Sequence, residues 1–345
     1  MATSRRTKRK SKTKRKILYT VLIVLMVMLS GVIVFATNLS LQTKNAMTKM
    51  YEPLEREKDN NSTKKFNSAK AEDSAFTMLI AGIDNQEKAK YGRSDVLIVA
   101  TVNPKTEKIS MVSIPRDTRV YIPDLRYEDK INHAYAFGGI NYTINTIEKL
   151  LDIPIDYYVS TDFQGFEDIV NTVGGIDVDV PFTFKAQLTG SLKWMTYTKG
   201  PMFLNGNEAL AYVRMRKKDP QGDLGRNERQ RKVIQEIINK GTSLSNITKI
   251  DDMIKDVGNN VKTNIPSSEY FSLIKMYQKI KSSPIEQLQL EGHDDMRKGI
   301  YYYIPKDESL EEVKRQLKLN LDDFGQNAQS EINTTNSVND LSIGE

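Results

Sequence analysis

Residues 17–36 read ILYTVLIVLMVMLSGVIVFA, twenty positions without a charge. At about 1.5 Å of rise per residue such a run spans the hydrocarbon core of a bilayer, so a single transmembrane helix is expected there. Arg5, Arg6, Lys8, Arg9, Lys10, Lys12, Lys14, Arg15 and Lys16 precede it with no acid among them. That block puts residues 1–16 in the cytoplasm and everything after Thr37 outside the cell. The formal charge of the whole chain is +6, so the nine tail cations leave the remainder slightly acidic. A nucleic-acid binder carries its basic excess on a folded domain; here the excess flanks an apolar run, which points to a membrane and to no nucleic-acid partner. Cysteine is absent, which excludes a disulfide framework, a thiol nucleophile and a lipoprotein anchor.

Residues 37–75 are polar and are expected to form an extracellular stalk, helical over 41–50, and 319–345 turn to Asn, Gln, Ser and Asp as a disordered tail. Between them, 76–318 read as one domain. FTMLIA (76–81), VLIVATV (96–102) and ISMVSI (109–114) are short runs of branched apolar residues, the pattern of strands covered on both faces. Helical spacing follows over 140–151, 162–173, 205–214, 226–240 and 266–280, with further strands at 155–160, 176–180, 285–290 and 300–304. This alternation predicts a three-layer α/β/α domain built on a mixed sheet.

Candidate ligand-binding residues gather at the expected strand ends. Asp84 closes the first strand, Arg93 and Asp95 open the second, and Arg116 and Asp117 follow the third. Ligands of open α/β sheets bind at such edges. Asp84 and Asp95 together suit Mg²⁺, with Mn²⁺ as the alternative ion, because this cation takes one or two carboxylates and completes its shell with water and phosphate oxygens. The competing reading makes Asp84 a turn cap and Asp95 the ion-pair partner of Arg93 or Arg116. A second cationic stretch, YVRMRKKDPQGDLGRNERQ (212–230), carries Arg214, Arg216, Arg226 and Arg229 into a helical pattern. Arg226 and Gln230 lie one turn apart above Val233, Ile234 and Ile237, on a stripe expected to be buried, which favours a phosphate or pyrophosphate site over a solvated charge run. Lys217 and Lys218 are assigned to the wet side of the loop. His133, read as lying in a loop before Gly138 and Gly139, could act as a base or simply pack; His293 is read as lying in a polar turn. SLKWMTYT (191–198) either rims an apolar cavity or forms a hairpin.

Taken in order, GID (82–84), RSD (93–95), NPKTEKISMVSIPRDTRVYIP (103–123), KINHAYAFGG (130–139), IPIDYYVSTDFQGF (153–166), VGGIDVDVPF (173–182) and LNGNEALAYVRMRKKDPQGDLGRNERQRKVI (204–234) resemble the LytR-CpsA-Psr family of membrane-anchored cell-wall ligases. The resemblance implies transfer of an anionic glycopolymer, of the wall teichoic acid or capsule type, from a polyprenyl-pyrophosphate carrier to peptidoglycan through a phosphodiester. It implies metal binding by Asp84 and Asp95 and pyrophosphate contacts from Arg93, Arg116, Arg214, Arg216, Arg226 and Gln230, with Lys130 a weaker transfer. Asp95 and Arg116 stand as the catalytic residues. Two departures are Val96, where a hydroxyl residue is common, and Gln86, where the family often has arginine. A hydrolase of the carrier lipid and a non-catalytic sensor of lipid-linked precursors are the competing functions.

Overall fold

The computed structural model describes residues 45–58, 74–85, 91–243 apart from 217, 255, and 257–322 apart from 284. The basic tail, the expected membrane span, Gln86, Lys217 and the tail beyond 322 lie outside the described residues. Among those described, no helix is long and apolar enough to cross a membrane.

Six strands form the central sheet: β1 (Phe76–Asp84), β2 (Arg93–Asn103), β3 (Lys108–Ser113), β6 (Tyr157–Thr161), β11 (Val261–Thr263) and β12 (Ile285–Leu288). Their spatial order is β11-β6-β1-β2-β3-β12. The sheet is mixed: β1 runs antiparallel to β2 and parallel to β6, and β3 runs antiparallel to β2 and parallel to β12. The two-residue period of a strand accounts for the apolar runs. Leu79, Ala81, Leu97, Val99 and Val112 pack on one face of the sheet, and Phe76, Ile98, Ala100, Val102 and Met111 on the other, so that the first core is built around the sheet. Helix α1 (Ile131–Leu151) covers the first face with Ile140, Ile144, Ile147 and Leu151, joined by Val313 and Leu317 of α6 (Asp307–Leu321). The opposite face meets Met276 and Ile280 of α5 (Tyr270–Ile280) and Ile234 of α4 (Asp223–Gly241). The expected layers are therefore present.

A second core lies beside the sheet, between α2 (Phe163–Thr172), α3 (Gly206–Arg214), α4 and two small sheets. One pairs β7 (Ile176–Val180) with β10 (Gly200–Leu204); the other pairs β8 (Phe184–Gln187) with β9 (Trp194–Tyr197). Helix α3 starts on a capping box, Asn205 accepting from the Glu208 amide while Glu208 accepts from the Asn205 amide.

Several elements differ from expectation. His133 is helical: α1 begins at Ile131 and is broken at Gly138 (φ −142°) and Gly139 (φ +64°), so the glycine pair kinks a helix where a loop is expected. The ring of Tyr142 fills the place a Gly138 Cβ would need, 2.0 Å away. Two hairpins lie outside the main sheet, β4 (Arg119–Ile122) with β5 (Tyr127–Lys130) and β13 (Gly292–Arg297) with β14 (Ile300–Pro305); β14 is the strand expected at 300–304, and the other three escape the apolar pattern. His293 therefore sits in a strand and not in a turn. Part of the expected stalk is folded onto the domain: Leu54 enters the first core, Met50 packs with Val261, and Arg56 Nη1 donates to both carboxylate oxygens of Glu148 at 2.8 Å.

Helix α6 extends past residue 319, where a disordered tail is expected to start, because Asn320 is buried and donates to the carbonyl and hydroxyl of Thr101, both at 3.0 Å. Its own carbonyl accepts from Asn103 at 2.9 Å. Asn320→Ala should cost about 1–3 kcal/mol, since it strands buried groups. Urea unfolding reads this as a lower midpoint at unchanged slope; an unchanged midpoint would remove Asn320 from the fold's support.

Candidate functional site

Three chain segments meet where β1 ends, β2 begins and β3 has just ended. Asp84, the last residue of β1, stands opposite Arg93, the first of β2. The register then slips: Ile83 faces Ser94, Gly82 faces Val96, and Asp95 is the additional residue of the bulge. A bulge re-aims a side chain, and here it accompanies an Asp95 directed at the segment after β3. Arg116 Nη1 donates to Asp95 Oδ2 at 2.7 Å, and Arg116 Nε lies 3.5 Å from Asp117. Asp117 in turn accepts from Lys130 Nζ at 2.8 Å. The ion-pair reading of Asp95 is thus realised with Arg116. It leaves the carboxylate partly exposed, at 24 %, and the guanidinium at 31 %.

Burial raises the Asp95 carboxyl above the ordinary carboxylate range; Arg116 pulls it down, Asp84 adds to the rise, and Arg226 also lowers it. Asp84, Arg116 and Arg226 are therefore all within electrostatic reach of Asp95. Two carboxylates within electrostatic reach of each other, with hard oxygen donors at a strand edge, fit a Mg²⁺ ion that keeps water and phosphate in its remaining positions. Among the described residues no group of three or more His, Asp or Glu side chains could hold a metal by itself.

Arg226 and Gln230 are buried on one face of α4, at 8 % exposure each, as their spacing predicts, and Gln230 Nε2 lies 3.5 Å from the Val213 carbonyl. Arg229 shares that face and serves the loop itself. It pairs with Asp219, donates to the Met215 and Tyr212 carbonyls, and stacks against Phe184 and Tyr212. Arg216 is exposed and within electrostatic reach of Tyr301, as is Asp117. Arg214 ends α3, lies over the Phe163 ring at 4.3 Å and donates to Thr189 Oγ1 at 3.3 Å. Phe163 packs against the second core and Thr189 lies in the β8–β9 turn, so both contacts stand apart from the Asp95–Arg116 cluster. Lys218 is exposed on the loop's wet side, as expected.

Tyr301 and Tyr302 were missed by pattern: their rings lie 5.9 and 5.8 Å from Lys130 Nζ, framing it from β14. An apolar YYYIP run signals a strand and hides this use. His133 Nδ1 lies 2.7 Å from Asp129 Oδ2, which orients the ring in the first turn of α1. A cavity of about 440 Å³ opens beside Pro115, lined by Ser113, Asn227, Arg231, Gln287, Leu288 and Leu290.

The sequence pattern of the LytR_cpsA_psr family matches residues 37–319. The chain belongs to this family. The LytR_cpsA_psr match spans the site and both cores. The polyisoprenyl-teichoic acid--peptidoglycan teichoic acid transferase TagU of Bacillus subtilis strain 168 is 40% identical over 322 residues, 93% of this chain and 100% of TagU. The similarly named TagV of the same strain is 43% identical over 288 residues, 81% of this chain and 73% of TagV. The crystal structure of B. subtilis TagV superposes with a TM-score of 0.65 at 44% identity, covering 72% of this chain and 97% of that one. TagT bound to LI-WTA superposes at 0.63 with 34% identity, covering 79% and 99%.

Proposed function

We propose that this protein transfers an anionic glycopolymer of the teichoic acid type from a polyprenyl-pyrophosphate carrier to peptidoglycan, anchored by residues 17–36 with its folded domain outside the cell. The observation that carries this reading is the likeness to TagU along essentially the whole of both chains. The site chemistry agrees with it. A pyrophosphate diester is a dense anion, and displacement at one phosphorus needs charge neutralisation and in-line placement more than covalent help. Arg116 and Arg226 neutralise the phosphoryl oxygens, Gln230 orients them, and Arg93, Lys130 and Arg216 set the surrounding field. Arg214 meets the carrier from the side of the second core. Asp84 and Asp95 would hold Mg²⁺, which supplies Lewis-acid stabilisation of phosphoryl charge when bound. In the transfer, an acceptor sugar hydroxyl forms the new P–O bond, the bridging P–O bond to the carrier breaks, and polyprenyl phosphate leaves with its electron pair as the hydroxyl proton is released.

The test mixes the full chain with lipid-linked polymer labelled in its sugar portion and with glycan strands, then separates lipid, free polymer and peptidoglycan fractions. Label is expected in peptidoglycan. Label released as free polymer would make the protein a hydrolase, and label held on lipid despite tight binding would make it a sensor.

A further inference from the structure

The β8–β9 hairpin presents two unlike faces. Phe184, Ala186, Met195 and Tyr197 point into the second core, whereas Lys185, Gln187, Trp194 and Thr196 alternate outward. At the tip, Leu192 is 91 % exposed and Trp194 62 %. Lys193 separates them, and Lys218 lies 5.7 Å from the Trp194 ring while donating to the Lys185 carbonyl. Between Asp179 and Glu208 the chain contains Lys185, Lys193 and Lys199 and no acidic residue. A large aliphatic side chain and an indole set among lysines match the boundary of an anionic bilayer: the apolar groups enter the acyl edge, the indole sits at headgroup level, and the ammonium groups reach lipid phosphates.

We infer that the β8–β9 hairpin is a membrane-contact element that docks Leu192 and Trp194 into the interface of an anionic lipid leaflet, in a chain held at that membrane as proposed above. The hairpin is tied to the end of α3 and the segment after it through Arg214, which donates to Thr189 in its turn, and through Lys218, which holds Lys185. Docking therefore brings the 214–218 loop to the level where a pyrophosphate headgroup emerges from the bilayer, so that a polyprenyl chain need not cross water on its way to the arginines.

Trp194 is the single tryptophan of the chain, so its emission reports this hairpin alone. The full chain is reconstituted into vesicles of phosphatidylcholine with phosphatidylglycerol whose acyl chains carry bromine; co-flotation reads the anchor separately. Emission should shift to the blue and be quenched by bromine, several-fold less for the double variant Leu192→Ser/Lys193→Glu and less in purely zwitterionic brominated vesicles. Chain that floats but whose emission ignores bromine overturns the hairpin contact while leaving the anchor and the transferase reading intact. Equal quenching in zwitterionic vesicles overturns the assignment to anionic lipid. A shift that appears only on adding glycan strands reassigns the hairpin to saccharide.

Discussion

Asp95→Asn should abolish polymer transfer while leaving the protein as stable as the parent or slightly more stable. The two halves have one cause. Burial raises the Asp95 carboxyl above its value in an unfolded chain, so the folded state resists its ionisation. With a raised folded pKa in an acid, the ionised group opposes folding at pH values above it, and this penalty fades as pH falls through the folded value and is gone below the unfolded one. Removing the charge at neutral pH therefore lifts a penalty, offset by the lost bond to Arg116, whose guanidinium remains partly solvated. Function loses far more: a group that organises charge around a phosphoryl centre is worth about 10²–10³ in rate. Arg116→Lys should weaken carrier binding by about tenfold to a hundredfold, because an ammonium keeps the charge and loses the planar fork. Transfer assays with thermal melts decide the matter. Parent-like transfer by Asp95→Asn, or loss of transfer together with a collapsed melting point, would return Asp95 to a purely structural ion pair.

How much could be read beforehand follows from which side chains face what. The strands β1, β2 and β3 are covered on both faces, so their apolar runs are continuous and unmistakable. The β4–β5 and β13–β14 hairpins lie outside that sheet and expose much of their surface, so segments such as YEDK and GHDDMR carry no strand pattern. Helix α6 did carry its signal: Leu310, Val313, Leu317 and Leu321 fall on one stripe, with Asp307 and Glu308 in the first turn and Lys318 in the last. It was obscured by the polar residues that follow. In the site, the strand-end acids and arginines could be located and Asp95 assigned to Arg93 or Arg116, but not which of the two it would bond. Arg226, Arg229 and Gln230 share one helical face by spacing, and only the loop folded over that face separates Arg229, bound to Asp219, from Arg226, within reach of Asp95.

That separation yields the largest expected effect on stability. The Arg229 and Asp219 side chains are only 3 % and 2 % exposed, so each is the principal compensation for the other's buried charge. Arg229 also supplies donors to the Tyr212 and Met215 carbonyls, and Asp219 accepts from the Gln221 amide at 2.8 Å. Together they shape the loop between α3 and α4 that follows Arg214 and presents Arg216. Arg229→Met leaves Asp219 buried without its cation and should cost about 3–5 kcal/mol. For a domain of this size each kcal/mol lowers the melting temperature by roughly 2–4 °C, so a fall of roughly 6–20 °C is expected. Asp219→Leu should do comparable damage by stranding the guanidinium. The double variant Arg229→Met/Asp219→Leu carries no buried charge and should be clearly more stable than the sum of the two losses allows, although it still leaves the two loop carbonyls without a donor. Carrier binding should not recover with stability, because those carbonyls no longer hold the loop. Additive losses in the double variant, or single variants that melt with the parent, would mean that the pair does not organise the loop and that Arg229 is available to a ligand.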